Sequence, residues 1–495
     1  MSDLVLGLDV GTSSTKAVLA NTAGEIVASA SRAHQVSLPR PGWAEHDADE
    51  VWWADAAALC QELSAVHRGA ISAIGISGIG PCVLPTDGAG HPLRPAILYG
   101  IDTRAVAEIE ALTRELGAER ILERGGSALT SQAVGPKLLW LRMREPDVWS
   151  QTRRFFMASS YLVYRLTGSY VLDHHSASQC DPLYDLRSDC WALDWAALVA
   201  PGLELPALHW SDEVVGTLTR DAARATGLTP GIPVIAGTID AWAEAVSAGV
   251  RRPGDVMLMY GTTLFIIEAV KDLTPSPTIW GTAGVLPGTR TLAAGMSTSG
   301  ALTQWFRQIA GDPPFDALLA EAAGVPAGSD GIVVLPYFAG ERTPIFDPDA
   351  RGAIFGLTLS HSRGHLYRAL LEGTGYGVRH ILEALEAAST TPIQRVVAVG
   401  GGTKGRLWTQ IVSDITGRPQ EVPAETIGAA YGDALLAAIG VGLVDRESDW
   451  ARISEVVAPD PGAVDIYRRL YLIYRSLYPA SIAQAHELAQ FQRDA

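Results

Sequence analysis

Residues 254–270, GDVMLMYGTTLFIIEAV, repeat in outline a pattern that opens the chain at residues 4–19, LVLGLDVGTSSTKAVL. Each is an apolar strand, a turn of Gly and hydroxyl residues, and a second apolar strand. Two copies so far apart constrain the fold more than any other feature: they require two halves of similar architecture, each starting from its own hairpin. A chain of 495 residues is also too long for one compact core. The restart places a boundary in AGVRRPGD, residues 248–255, so the expected domains are residues 1–250 and 251–495 with a cleft between them.

Within each half strands and helices alternate, which makes the class α/β. LVLGLDVG, KAVLANT and EIVASASRAHQV read as three consecutive strands, with NTAG turning the second into the third. DEVWWADAAALCQELSAV has helical spacing, and AISAIGISG is a buried strand ending in glycine. SQAVGPKLLWLRMREPDVW and ASSYLVYRLTG read as helices. GIPVIAGTID reads as one strand followed by the helix AWAEAVSAG. Further on, RVVAVGGG is strand and turn, TKGRLWTQIVSDITGR a helix, and the stretch from about Ile466 to Gln492 an amphipathic helix packing on the second half.

The formal net charge of −16 argues against non-specific binding to nucleic acid or anionic membrane. It leaves room for an anionic ligand held by local backbone dipoles. Four cysteines without a CxxC pair give neither a zinc ribbon nor a redox motif and fit a reducing compartment. Without a leader-like start or a long apolar run, the expected location is the cytoplasm.

Four stretches carry chemistry. DVGTSSTK, residues 9–16, is not a P-loop: Thr15 rather than Gly precedes Lys16, Ala17 follows it, and the next segment is strand. A plain hairpin turn is the bland reading. YGTTLF puts Gly261, Thr262 and Thr263 in the matching place of the second half, and two such turns facing a cleft can hold a polyphosphate. Asp9, at the strand end, is then placed to organise a hydrated Mg²⁺. In RVVAVGGGTKGRLW, Gly400, Gly402 and Gly405 form a G-x-G-x-x-G, with Glu421 about twenty residues on. That allows an NAD-dependent oxidoreductase as a rival reading, although little parallel sheet can follow it. Asp240, after a strand and at a helix start, is either an N-cap or a general base facing the cleft.

Together these stretches resemble the FGGY family of carbohydrate kinases, in the actin, heat-shock ATPase and hexokinase superfamily. DVGTSSTK and YGTTLF are similar to the family's two phosphate motifs, and VVAVGGGTKGRLWTQIVSDITGRPQEVP to its adenosine motif. AGTIDAWAEAVSAG is similar to the segment with the catalytic aspartate, and GAIFGLTLSHSRGHLYRALLE to the C-terminal signature. LPYFAGERTPIFDPDARG is also family-like. The resemblance runs from Leu4 to about Gly442 and implies two ribonuclease-H-like, actin-like ATPase domains around a cleft.

It also implies phosphorylation of a sugar or polyol hydroxyl by ATP and Mg²⁺. Asp240 would be the base, and Asp9 would serve the metal. Gly11, Thr12, Ser13, Lys16, Gly261, Thr262 and Thr263 would cradle the phosphates. Gly401, Gly402 and Lys404 would lie against the nucleotide. The acceptor would sit in the first half, near Gly78, Tyr99, Asp102, Arg104 and Asp240. Family members are often homodimers. One departure bears on the acceptor. Xylulose kinases usually carry Gln-Met-His after the strand-end glycine, whereas here Ile79, Gly80, Pro81 and Cys82 follow Gly78 and offer no strong hydrogen bond to a sugar hydroxyl. A non-catalytic ATP-binding relative is the alternative this departure raises.

Overall fold

The computed structural model describes residues 3–67, 71–424 and 428–494. The first half is built on strands β1 (Leu4–Val10), β2 (Ser14–Asn21), β3 (Ile26–Ala33), β4 (Ile71–Gly78), β5 (Val214–Thr217), β6 (Pro233–Ile235) and β7 (Thr238–Ile239). Their order is β5-β6-β4-β1-β2-β3, with β7 also paired to β4. β1 to β3 form an antiparallel meander, and β4 lies parallel to β1. All seven residues of β1 are buried, because this strand is covered on both faces.

The second half repeats the plan with β8 (Asp255–Tyr260), β9 (Leu264–Val270), β10 (Trp280–Ala283), β11 (Arg290–Met296), β12 (Arg395–Val399), β13 (Gln420–Pro423) and β14 (Ile453–Val457). The order is β10-β11-β9-β8-β12-β13-β14. Again β8 and β9 are an antiparallel hairpin, and β12 runs parallel to the first strand. The two-domain α/β reading therefore holds. The strands β10 and β11, in a stretch rich in Pro, Gly and Thr, escape a pattern-based reading.

The helices that position the site are α1 (Val134–Arg144), α2 (Asp240–Ser247), α3 (Gly300–Ile309), α4 (Arg363–Ala387), α5 (Arg406–Thr416), α6 (Ala429–Gly440) and α7 (Pro461–Asp494). Although α6 belongs to the second half, it packs on β1, β4 and α2 of the first. Glycines make that approach possible. A Cβ on Gly7 would lie 1.8 Å from the Ala430 carbonyl oxygen, one on Gly75 2.0 Å from that of Asp433, and one on Gly432 1.9 Å from that of Ala243. α7 packs on α5 and on the strand Val333–Leu335, as its amphipathic pattern indicates.

Two expectations are corrected and a third is met as far as the described residues reach. The helix read across residues 131–149 stops at α1 and restarts as Pro146–Gln151, because Pro146 forces Glu145 out of helical geometry. GIPVIAGTID is two strands, broken at Gly237 (φ 72°), where a Cβ would sit 1.9 Å from the Ile76 carbonyl oxygen. The strand read from residue 70 runs Ile71–Gly78, and residue 70 lies outside the described residues. The dinucleotide reading also fails. After β12 and α5 the sheet gains only β13 and the antiparallel edge strand β14, and Glu421 is held by Arg395 Nε at 2.6 Å. Among the described residues no helix is long and apolar enough to cross a membrane.

Candidate active site

Both Gly-Thr turns are three-residue connections closed the same way. The Gly11 amide donates to the Ser14 carbonyl at 2.9 Å, and the Gly261 amide to that of Thr263 at 3.0 Å. Outside partners hold each turn. His34, wedged between the Gly11 carbonyl and Asp55, sits 3.0 Å from each. The second turn docks against the start of α3, whose Gly300 and Ala301 amides donate to the Gly261 and Thr262 carbonyls at 2.9 and 3.0 Å.

Two cavities meet at the second turn. The smaller, about 230 Å³, has Thr12, Tyr99, Gln132, Asp240, Thr263 and Arg342 on its wall. The larger, about 810 Å³, is bounded by Gly261, Thr262, Gly401, Gly402, Lys404 and Trp408. Thr262 thus faces one cavity and Thr263 the other. The smaller volume suits a compact molecule and the larger a nucleotide-sized one.

The carboxylates gather on the first half. Asp9 is buried on β1, opposite Ser77 of β4 and Lys16 of β2. The Ser77 hydroxyl lies 3.4 Å from Asp9 Oδ1 and donates to Asp433 Oδ2 at 2.6 Å, so α6 reaches this cluster from the second half. Asp240 is the first residue of α2; the N-cap position belongs to Ile239, and Asp240 Oδ1 accepts the Ala241 amide at 2.7 Å. Burial, first of all, pushes the Asp9 and Asp240 carboxyls above the usual carboxylate range; the Asp240 charge adds to the rise at Asp9, and Lys16 opposes it at both. Burial also lifts Asp433 well above that range.

The remaining expected residues divide. Tyr99 lines the small cavity and shares a 3.1 Å hydrogen bond with the Thr12 hydroxyl. Gly78 does not line it. A Cβ there would meet Ala158 at 2.8 Å, and Ile79 and Gly80 take the wall instead. Asp102 and Arg104 also stand behind the wall. Their side chains are 0% exposed and paired at 2.7 Å. Arg104 also reaches Glu45 and lies 3.9 Å over the Trp43 ring, while Asp102 accepts the Ala44 amide. They brace the loop that carries Tyr99. Ser13 and Lys16 are exposed beyond the cavity wall.

At the large cavity, Gly400 (φ 94°) and Gly402 press on Tyr260, and Gly402 also on Trp408. Trp408 donates to Thr374 at 2.9 Å and meets Tyr260 edge to face at 5.4 Å, so it is both core and cavity wall. Sequence reasoning passed over Asp181, Arg342 and Asp433. The segment holding Arg342 was singled out, but no periodicity marks which side chain in it turns inward.

Residues 4–247 match the N-terminal domain, and residues 256–441 the C-terminal domain, of the FGGY family of carbohydrate kinases. The xylulose kinase of Escherichia coli K12 is 31% identical over 447 residues, 88% of this chain and 90% of that protein. A gluconokinase of Bacillus subtilis is 26% identical over 100% of this chain and 99% of its own. The crystal structure of xylulose kinase from Rhodospirillum rubrum superposes with a TM-score of 0.91 at 36% identity, covering 98% of this chain and 100% of that one.

Proposed function

The chain belongs to the FGGY family of carbohydrate kinases, and from that premise we propose that it moves the γ-phosphoryl group of ATP in line onto a hydroxyl of a small ketose or polyol, with Asp240 as general base. One observation carries the reading: a single Gly-Thr-Thr turn separates a nucleotide-sized cavity from a small one that has a carboxylate on its wall. ATP fits the larger cavity, with its base against Gly401 and Gly402 and its phosphates toward Gly261 and Thr262. Lys404, on the wall of that cavity, supplies positive charge near that path. The acceptor fits the smaller cavity. Asp240 takes the proton of the attacking hydroxyl, and the amides of both turns hold the phosphoryl oxygens. Closing of the halves around both substrates excludes water from the transfer.

Mg²⁺ suits Asp9. Among the described residues no group of three or more His, Cys, Asp or Glu could hold a metal unaided. Mg²⁺ needs no such cage, since it keeps waters and takes one or two carboxylates plus phosphate oxygens. Asp9, buried beside Asp240, is a carboxyl whose negative charge a divalent cation would favour. When bound, the ion neutralises charge on the phosphates. The xylulose kinase relatives support a pentulose such as xylulose as acceptor, and the soluble chemistry of both substrates supports a cytoplasmic location.

The test is ADP release from Mg²⁺·ATP across ketoses, polyols and sugar acids, with Asp240→Ala alongside. Turnover of one acceptor that vanishes in the variant, with ATP binding retained, is the expected result. Unchanged turnover in Asp240→Ala rejects the base assignment.

A further inference from the structure

The small cavity contains a second carboxyl that the phosphoryl transfer does not use. Asp181 is 4% exposed, on the cavity wall, and among the described residues its Oδ1 has no hydrogen-bond partner. Among the described residues no ion pair reaches it, and burial pushes its carboxyl well above the usual carboxylate range. Its place is nonetheless tightly fixed. The Asp181 carbonyl accepts the Gly135 amide at 3.0 Å, and the Gln179 carbonyl the Val134 amide at 3.2 Å, so the turn is clamped to the start of α1. Gly125 makes room for the carboxyl, since a Cβ there would stand 2.1 Å from Asp181 Oδ1.

A buried polar group without a partner is costly, and a native structure keeps few of them. Elsewhere in this cavity the amides are anchored: Gln132 Oε1 accepts the Gly100 amide at 3.0 Å, and Gln179 Nε2 lies 2.9 Å from His175. Asp181 is thus a wall carboxyl with hydrogen-bonding capacity that the protein itself leaves unused. The strand end after Gly78, by contrast, offers the cavity only Ile79 and Gly80.

Resting on the kinase reading above, we propose that Asp181 binds the acceptor: its carboxyl hydrogen-bonds a hydroxyl of a neutral ketose or polyol, replacing the polar side chains missing after Gly78. The neutral class follows from the wall. It carries carboxyls at Asp181 and Asp240, and its cation, Arg342, is engaged by the Met296 carbonyl at 2.6 Å with Glu341 beside it. An acceptor with its own carboxylate would meet the Asp240 charge, whereas a neutral hydroxyl can bond either carboxyl in either protonation state.

The experiment measures steady-state kinetics and thermal unfolding of wild type, Asp181→Ala and Asp181→Asn. The acceptors are D-xylulose, D-ribulose and erythritol against D-gluconate, with Asp240→Ala in parallel. In Asp181→Ala, KM for the preferred neutral acceptor rises about 10- to 100-fold, the range of one hydrogen bond to a charged or buried group, while kcat stays within about threefold. Asp181→Asn, which keeps a donor and an acceptor, recovers most of that loss. Neither variant unfolds earlier than wild type, because the carboxyl bonds nothing in the free protein. An unchanged KM in Asp181→Ala overturns the proposal, as does gluconate as the preferred acceptor. The two readings fail separately: Asp240→Ala with wild-type turnover rejects the base assignment and leaves the KM comparison at Asp181 readable.

Discussion

The two Gly-Thr hairpins share a backbone and differ in what their strands bring to it. In the first, the residue two before the glycine is Asp9, beside Ser77 and within the field of Asp240. In the second that place is Met259, beside Val399. One sheet plan, used twice, thus carries ionisable groups on one side of the cleft and an apolar, aromatic-walled cavity on the other. The shared backbone brings Thr12 of one turn and Thr263 of the other to the wall of the same cavity. The unshared side chains are what would make the halves take different ligands. In the proposed reaction the duplicated scaffold would supply the two phosphate-holding turns, and the carboxylates buried on one side only would give the transfer its direction.

The strongest way to break this comparison is at Asp240. Asp240→Asn keeps size and the bond to the Ala241 amide but removes the base. We expect kcat to fall about 10²- to 10⁴-fold with nucleotide affinity nearly unchanged. If the loss lay in nucleotide affinity instead, the division of labour between the halves would be wrong.

Next in size is the brace behind the small cavity. Arg104→Ala leaves Asp102 buried without its cation, while Glu45 keeps its pair with Arg94, at a cost of about 3–5 kcal/mol of stability. Thermal unfolding should show that loss, and acceptor KM should change only as far as the Tyr99 loop loosens. A KM effect with full stability would return Arg104 to the acceptor site.

The brace also shows where the sequence was legible. The hairpins, the strand-to-helix step before Asp240 and the glycine turn after β12 were readable because each is a local pattern: apolar period, turn residues, helix start. Asp102 and Arg104 looked equally suggestive. Their fate depends on Glu45, Trp43 and Trp140, which lie far away in the chain and converge only in the fold. Asp181 was illegible for the opposite reason, since its distinguishing property is the lack of a partner. β10 and β11 were missed because their pairing with β9 overrides weak local propensity.

On the apolar side, Gly400→Ala tests the nucleotide cavity. At φ 94°, with a Cβ falling 2.6 Å from the Tyr260 carbonyl oxygen, the substitution should cost about 1–3 kcal/mol. It should also raise KM for ATP while leaving KM for the acceptor alone. Equal rises in both would mean that the turn supports the two cavities together.

The smallest expected effect concerns Lys16, exposed on β2 opposite Asp9. Asp240 must be deprotonated to accept a proton, and burial raises its pKa above the usual carboxylate range. Activity is therefore present above that raised pKa and lost as pH falls through it, so the acid limb of kcat lies higher than an exposed aspartate would give. Lys16 opposes the rise at both Asp9 and Asp240. Lys16→Gln removes that opposition, and the acid limb should move to higher pH with little change in the plateau. The shift is modest because solvent screens an exposed ammonium, and it should shrink further as salt is added. A plateau that falls while the limb stays in place would assign Lys16 to the phosphates directly rather than to the field around the two carboxyls.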